Sequence, residues 1–125
     1  MDRVIAIVED SENIAPLELA LSGVAGVTVV KMPDGRSLMQ ALQANSLDVA
    51  AIVTDLNLPF FDGFEILKAV RTHARYTNVP IIIITGDGRS EVPQRARELG
   101  ASALFFKPYS PVEVRRALEA LICVP

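Results

Sequence analysis

Short apolar runs and segments of helical period alternate five times along the chain. Residues 4–8 are continuously apolar over the length of a strand. After them Ile14, Leu17, Leu21 and Val24 recur at threes and fours, which puts them on one face of a helix. Pro16 falls near the start of that segment, where a missing amide hydrogen costs little. Residues 27–31 form the second predicted strand, and Thr28 and Lys31 make it polar enough for a sheet edge. A helix predicted from near Asp34 turns Leu38, Ala41 and Leu42 inward.

The pattern then repeats with stronger punctuation. Residues 49–54 read as a strand buried on both faces. Asp62 is placed to cap the helix that carries Ile66, Leu67 and Val70 on its inner face. Residues 81–84, entered through Pro80, are the most apolar strand and are predicted to be central. Ser90 is the expected cap of a fourth helix, with Pro93 in its first turn and Gly100 at its end. Ala103–Phe106 is the fifth strand. Ser110-Pro-Val-Glu113 reads as a capping box with proline at the first helical position, ahead of Val114, Leu118 and Leu121. Five such βα units predict an α/β domain, a doubly wound five-stranded parallel sheet with helices on both faces. Ligands in these folds bind outside the carboxyl ends of the strands, where the strand order reverses.

Composition narrows the class without changing it. The 125 residues show no linker, repeat or low-complexity run, so residues 1–125 are expected to form one domain. A net charge of −3 gives no reason to expect nucleic acid binding by charge. The apolar runs are of strand length, too short for a membrane span, and the start of the chain lacks the long apolar core of a signal peptide. Cys123 is the one cysteine, which fits a reducing compartment and an expected cytoplasmic location. His73 reads as a solvated residue at a helix end. Arg89, Arg95, Arg97, Arg115 and Arg116 gather around the last two helices, as solvated faces or as a docking surface.

Chemistry concentrates at strand ends. Glu9-Asp10 ends the first strand, Asp55 the third, Thr85 the fourth and Lys107-Pro108 the fifth. Three carboxylates in one crevice would repel one another, by roughly 4 kcal/mol for a pair about 4 Å apart at an effective dielectric near 20. A hard divalent cation removes that conflict, and Mg²⁺ favours carboxylates, waters and a phosphate oxygen. Lys107 adds a compact positive charge, and Thr85 a hydroxyl donor. Such a site suits phosphoryl transfer, with Asp55 as nucleophile, Glu9, Asp10 and Asp55 on the metal, and the backbone carbonyl of Asn57 completing its protein ligands.

These residues, in this order, resemble the response-regulator receiver domain of two-component signalling, of the CheY-like superfamily. The matching pieces are Glu9-Asp10, Asp55 with Pro59 and Gly63, Thr85-Gly86, and Lys107-Pro108-Tyr109. The resemblance implies a flavodoxin-like (βα)5 fold with strand order 2-1-3-4-5, and a lysine–proline peptide that is often cis. It also implies Mg²⁺-dependent phosphorylation of Asp55 by a sensor histidine kinase or phosphotransfer protein. The chain is then a regulatory phosphoacceptor, with self-catalysed phosphorylation and autodephosphorylation as its chemistry. Thr85 would draw toward the phosphoryl group and switch the face of helix 4, strand 5 and helix 5 for an output protein or domain; homodimerisation is left open.

Two positions depart from the family pattern. Glu9 stands where Asp is more usual. Leu104 occupies the switch position three residues before the lysine, where receivers commonly carry Tyr or Phe. Asn57 and Asp87, each two residues beyond a site residue, fall where the family tunes phosphoryl lifetime. An aspartyl-nucleophile phosphatase would need a second Asp at position 57, and an FMN carrier would not place Glu9-Asp10 in its phosphate loop. A docking-only pseudo-receiver is hard to square with Asp55, Thr85 and Lys107 all present.

Overall fold

The computed structural model describes residues 3–9, 14–44, 47–58 and 61–122. Five strands, β1 (Arg3–Val8), β2 (Val27–Met32), β3 (Val49–Asp55), β4 (Ile81–Thr85) and β5 (Ala103–Phe106), alternate with five helices. The helices are α1 (Ala15–Ser22), α2 (Gly35–Gln43), α3 (Gly63–Thr72), α4 (Val92–Glu98) and α5 (Pro111–Ile122). All strand pairs are parallel, in the order β2-β1-β3-β4-β5. This is the flavodoxin-like arrangement expected, with β2 at an edge. One correction concerns β4. It is interior and fully buried, but β3 holds the centre, because both β1 and β4 pair with it.

Strand alternation divides the core in two. Ile5, Ile7, Ala51, Val53, Ile82 and Ile84 point toward α1 and α5, where Leu17, Leu21, Val114 and Leu118 meet them. Ala6, Val8, Ile52, Ile81 and Ile83 point the other way, onto Leu38 and Leu42 of α2, Ile66, Leu67 and Val70 of α3, and Val92 and Ala96 of α4. A period of two in the strands meeting a period of 3.6 in the helices thus covers both faces. Ala41 lies half-buried at the margin of the second layer.

The helix ends follow their local sequence unevenly. Asp62 and Glu65 form the reciprocal capping box of α3, and Asp34 caps α2 through the Ser37 amide. The Glu113 amide reaches Ser110 Oγ at 3.4 Å, a long version of the expected contact. Ser90 does not cap α4. The residue before the helix is Glu91, already in helical conformation and without a side-chain cap, because the Val92 amide bonds back to the Arg89 carbonyl and turns the chain early. Gly100 ends α4 as expected. At φ +96° it lets the Ala101 amide reach the Ala96 carbonyl at 2.9 Å and its own amide reach Arg97, the hydrogen-bond pair of a Schellman motif.

Candidate functional site

The hydrogen-bond ladder of the sheet continues one residue past the strand ends, and this sets the site. The Glu9 amide donates to Met32 O at 3.0 Å, Leu56 to Ile84 O at 3.1 Å, and Lys107 to Thr85 O at 2.8 Å. Because Val8 pairs with Thr54, Asp55 with Ile84 and Thr85 with Phe106, the loops leave the sheet together at its carboxyl edge. β1 pairs with β2 on one side and β3 on the other, so the crevice lies at the point where the strand order reverses. Gly63 lets α3 start close against this edge. A Cβ there would lie 2.9 Å from both Asp55 O and Leu56 Cα, and the Gly63 amide donates to Leu56 O at 2.8 Å.

Glu9, Asp55 and Lys107 come together. Glu9 is 3% and Asp55 5% exposed, unusually enclosed for carboxylates. The Lys107 ammonium contacts Asp55 Oδ2 and lies 3.4 Å from Glu9 Oε2. The other Asp55 oxygen, Oδ1, accepts from the Asn57 amide at 3.0 Å. Burial works against the charge on Lys107, but hydrogen bonding and attraction from Asp55, then Glu9, outweigh it and raise its pKa above the ordinary lysine value. Burial, followed by the negative charge of Glu9, pushes the nearby Tyr109 phenol up as well. The peptide between Lys107 and Pro108 is cis, as the resemblance implied. A cleft of about 500 Å³ lined by Glu9, Ile14, Pro16, Lys107, Pro108 and Tyr109 adjoins the pair.

Other predicted positions sit differently. Asp10, Pro59 and Cys123 lie outside the described residues. Among those described, no three acidic, histidine or cysteine side chains cluster as a metal nest, and Glu9 and Asp55 are the two enclosed carboxylates. Their oxygens are hard donors sharing one amine, a donor set that fits a hard divalent cation. Thr85 is fully buried at the tip of β4, and its Oγ1 accepts from the Asp87 amide at 2.9 Å. α1 starts after Ile14 without a side-chain cap. Leu104 is half-buried beside Ile83, on the α2–α4 side of the sheet. Phe105 packs on the opposite side and Phe106 is exposed. His73 is half-buried rather than solvated, its ring 4.8 Å from that of Tyr76.

The sequence reading missed a clamp beyond Thr85. Arg89 Nε and Nη2 grip both carboxylate oxygens of Asp87 at 2.6–3.0 Å. The spacing of two residues on a glycine-rich loop was the available signal.

A five-stranded flavodoxin-like sheet with two enclosed acids and a lysine at its switch point is a narrow class of domain. The family model described as "Response regulator receiver domain" matches residues 5–119. The chemotaxis protein CheY1 of Helicobacter pylori (strain ATCC 700392 / 26695) is 28% identical over 117 residues, 93% of this chain and 94% of that protein. The chemotaxis response regulator CheY4 of Vibrio cholerae superposes with a TM-score of 0.81 at 29% identity, covering 97% of this chain and 99% of that one. The Mn²⁺-bound form of the response regulator Rcp1 shares the fold, with a TM-score of 0.83 at 24% identity and 98% and 97% coverage. The chain belongs to the response regulator receiver domain family, whose general role is two-component signalling. Among the described residues no helix is long and apolar enough to cross a membrane.

Proposed function

We propose that Asp55 accepts a phosphoryl group from a histidine kinase or phosphotransfer protein, and that the modified domain then binds an output partner. The observation that carries this reading is the enclosed Asp55 carboxylate, held between the Asn57 amide and the Lys107 ammonium. Those two contacts fix the carboxylate's orientation, so one oxygen can attack phosphorus without a search over rotamers. Lys107, drawn off Asp55 as the bond to phosphorus forms, can follow the charge onto a phosphoryl oxygen. The Thr85 hydroxyl accepts from Asp87 N–H through its oxygen, which leaves its own proton to donate to the same group.

Receiver domains typically bind Mg²⁺. Glu9, Asp10, Asp55 and the backbone carbonyl of Asn57 would hold it here. When bound, Mg²⁺ offsets the charge of the acids and of the transferred group. The chain's own chemistry is that of a regulatory phosphoacceptor, which labels itself and hydrolyses its own acyl phosphate. The face of α4, β5 and α5, where Phe106 and Val112 are exposed, is the surface we assign to the output partner.

Incubation with acetyl phosphate and Mg²⁺, followed by intact mass, tests the proposal. One added phosphoryl group in the parent and none in Asp55→Ala is the expected result. Continuous turnover of a general phosphate ester would instead favour a phosphatase.

A further inference from the structure

Thr85 and Leu104 lie on the α2–α4 side of the sheet by strand alternation, whereas Asp55 and Lys107 share the parity of the α1–α5 side. A signal from the site to α4 must therefore cross at Thr85. At Leu104 it meets an aliphatic side chain with no ring to swing and no hydroxyl to bond.

The structure offers another connection. The Asp87 amide donates to Thr85 Oγ1 at 2.9 Å. The Asp87 carboxylate takes the Arg89 amide at 3.1 Å on Oδ1, Arg89 Nε at 2.9 Å on Oδ1 and 3.0 Å on Oδ2, and Nη2 at 2.6 Å on Oδ2. The Arg89 carbonyl accepts from the Val92 amide at 3.2 Å, and Val92 is the first residue of α4, buried in the core. The line from the hydroxyl to the helix head is thus hydrogen-bonded at every step. Isolated ion pairs between exposed side chains contribute little. This one is bidentate, its carboxylate is only 12% exposed, and it closes a turn whose other end hangs on the reactive hydroxyl.

We infer that Arg89, acting through Asp87, is the positioning residue that carries displacement of the Thr85 hydroxyl to the start of α4, in place of an aromatic at Leu104. This rests on the phosphoacceptor reading above. When Thr85 moves toward a phosphoryl oxygen, Asp87 N–H must follow or lose its acceptor. The fork on the Asp87 carboxylate makes Arg89, and with it the Val92 turn, follow too. Without the fork, the loop absorbs the movement through the two glycines that flank Asp87, Gly86 and Gly88.

Amide shifts of the full chain on adding beryllofluoride with Mg²⁺, a phosphoryl mimic, test the inference. In the parent, the amides of Leu56 and Asn57 at the site and those of Val92–Glu98 should all shift. In Arg89→Ala the site amides should shift as before, while those of α4 lose half or more of their response. Asp87→Ala combined with Arg89→Ala should lose no more than Asp87→Ala alone, because the Arg89 side chain then has no carboxylate to grip. A full α4 response in Arg89→Ala, or a further loss when Arg89→Ala is added to Asp87→Ala, overturns the relay. Site amides of the parent that do not respond would overturn the phosphoacceptor reading itself, and the relay with it.

Discussion

Replacing Lys107 by Met leaves Glu9 and Asp55 enclosed without the ammonium that touches both. Their oxygens lie within reach of one nitrogen, so they are no more than about 6 Å apart, where two unit charges repel by roughly 3 kcal/mol at an effective dielectric near 20. Removing one partner of a buried ion pair costs about 3–5 kcal/mol. Here the Lys107 side chain is 38% exposed, so solvent screens part of the attraction. A loss of about 2 kcal/mol at neutral pH is the expected outcome. With a urea slope of about 1.5 kcal/mol per molar, the unfolding midpoint falls by roughly 1.3 M. The assay is urea denaturation of both proteins in chelator and again with Mg²⁺ at about 10 mM, far above the protein concentration. A cation supplies the missing countercharge, so the gap between the two should narrow with Mg²⁺. Equal midpoints in chelator, or the same Mg²⁺ shift in both proteins, would refute the electrostatic reasoning.

Other expectations rest on separate features. Arg71 donates four hydrogen bonds to the carbonyls of Gly100, Thr77 and Val79, tying α3 to the loop that follows it and to the loop between α4 and β5. Arg71→Met should cost about 2–4 kcal/mol by chemical denaturation, since three acceptors lose a charged donor. Gly63→Ala pushes a methyl against the backbone at Asp55 and should cost about 1–3 kcal/mol by the same measure. Hydrogen bonds from the Arg89 side chain, then its backbone, hold the Asp87 carboxyl below the ordinary aspartate value. The sign follows: a depressed native pKa gives stability that is present above the unfolded value and lost as pH falls through the native one. Carboxyl NMR titration should show Asp87 ionised to lower pH in the parent than in Arg89→Ala; coincident titrations would deny the clamp its charge-assisted character.

Most of the architecture was written in periodicities that local physics enforces. Apolar runs of strand length and a three-and-four helix spacing led to the two-faced sheet, and Asp62 caps the third helix as its place in the sequence suggested. The failures share a cause. Ser90 has the right chemistry for a cap, yet the turn closed from Arg89 to Val92 fixes its surroundings before a cap can form. Nothing local to Glu9 announces its partner Lys107, 98 residues away in sequence. Residues 81–84 are more apolar than residues 49–54, but position in the sheet follows crossover topology, which leaves two strands on either side of β3 and only one beyond β4. For the site, parallel strands gather their carboxyl ends, so the set Glu9, Asp55, Thr85 and Lys107 was legible as a list. The pairing within it was not. That one amine bridges two acids, and that Asp87 engages Arg89 rather than solvent, depends on distances that no spacing encodes.

The central claim is that Asp55 carries the phosphoryl group, and chemical trapping tests it most directly. Borohydride reduces an acyl phosphate to the alcohol, homoserine in the case of aspartate, so treatment after acetyl phosphate labelling, then peptide mass mapping, locates the modified residue. Conversion confined to Asp55 is the predicted result. Conversion at Glu9, Asp62 or another carboxyl with Asp55 intact, or none despite added phosphoryl mass, would contradict the account.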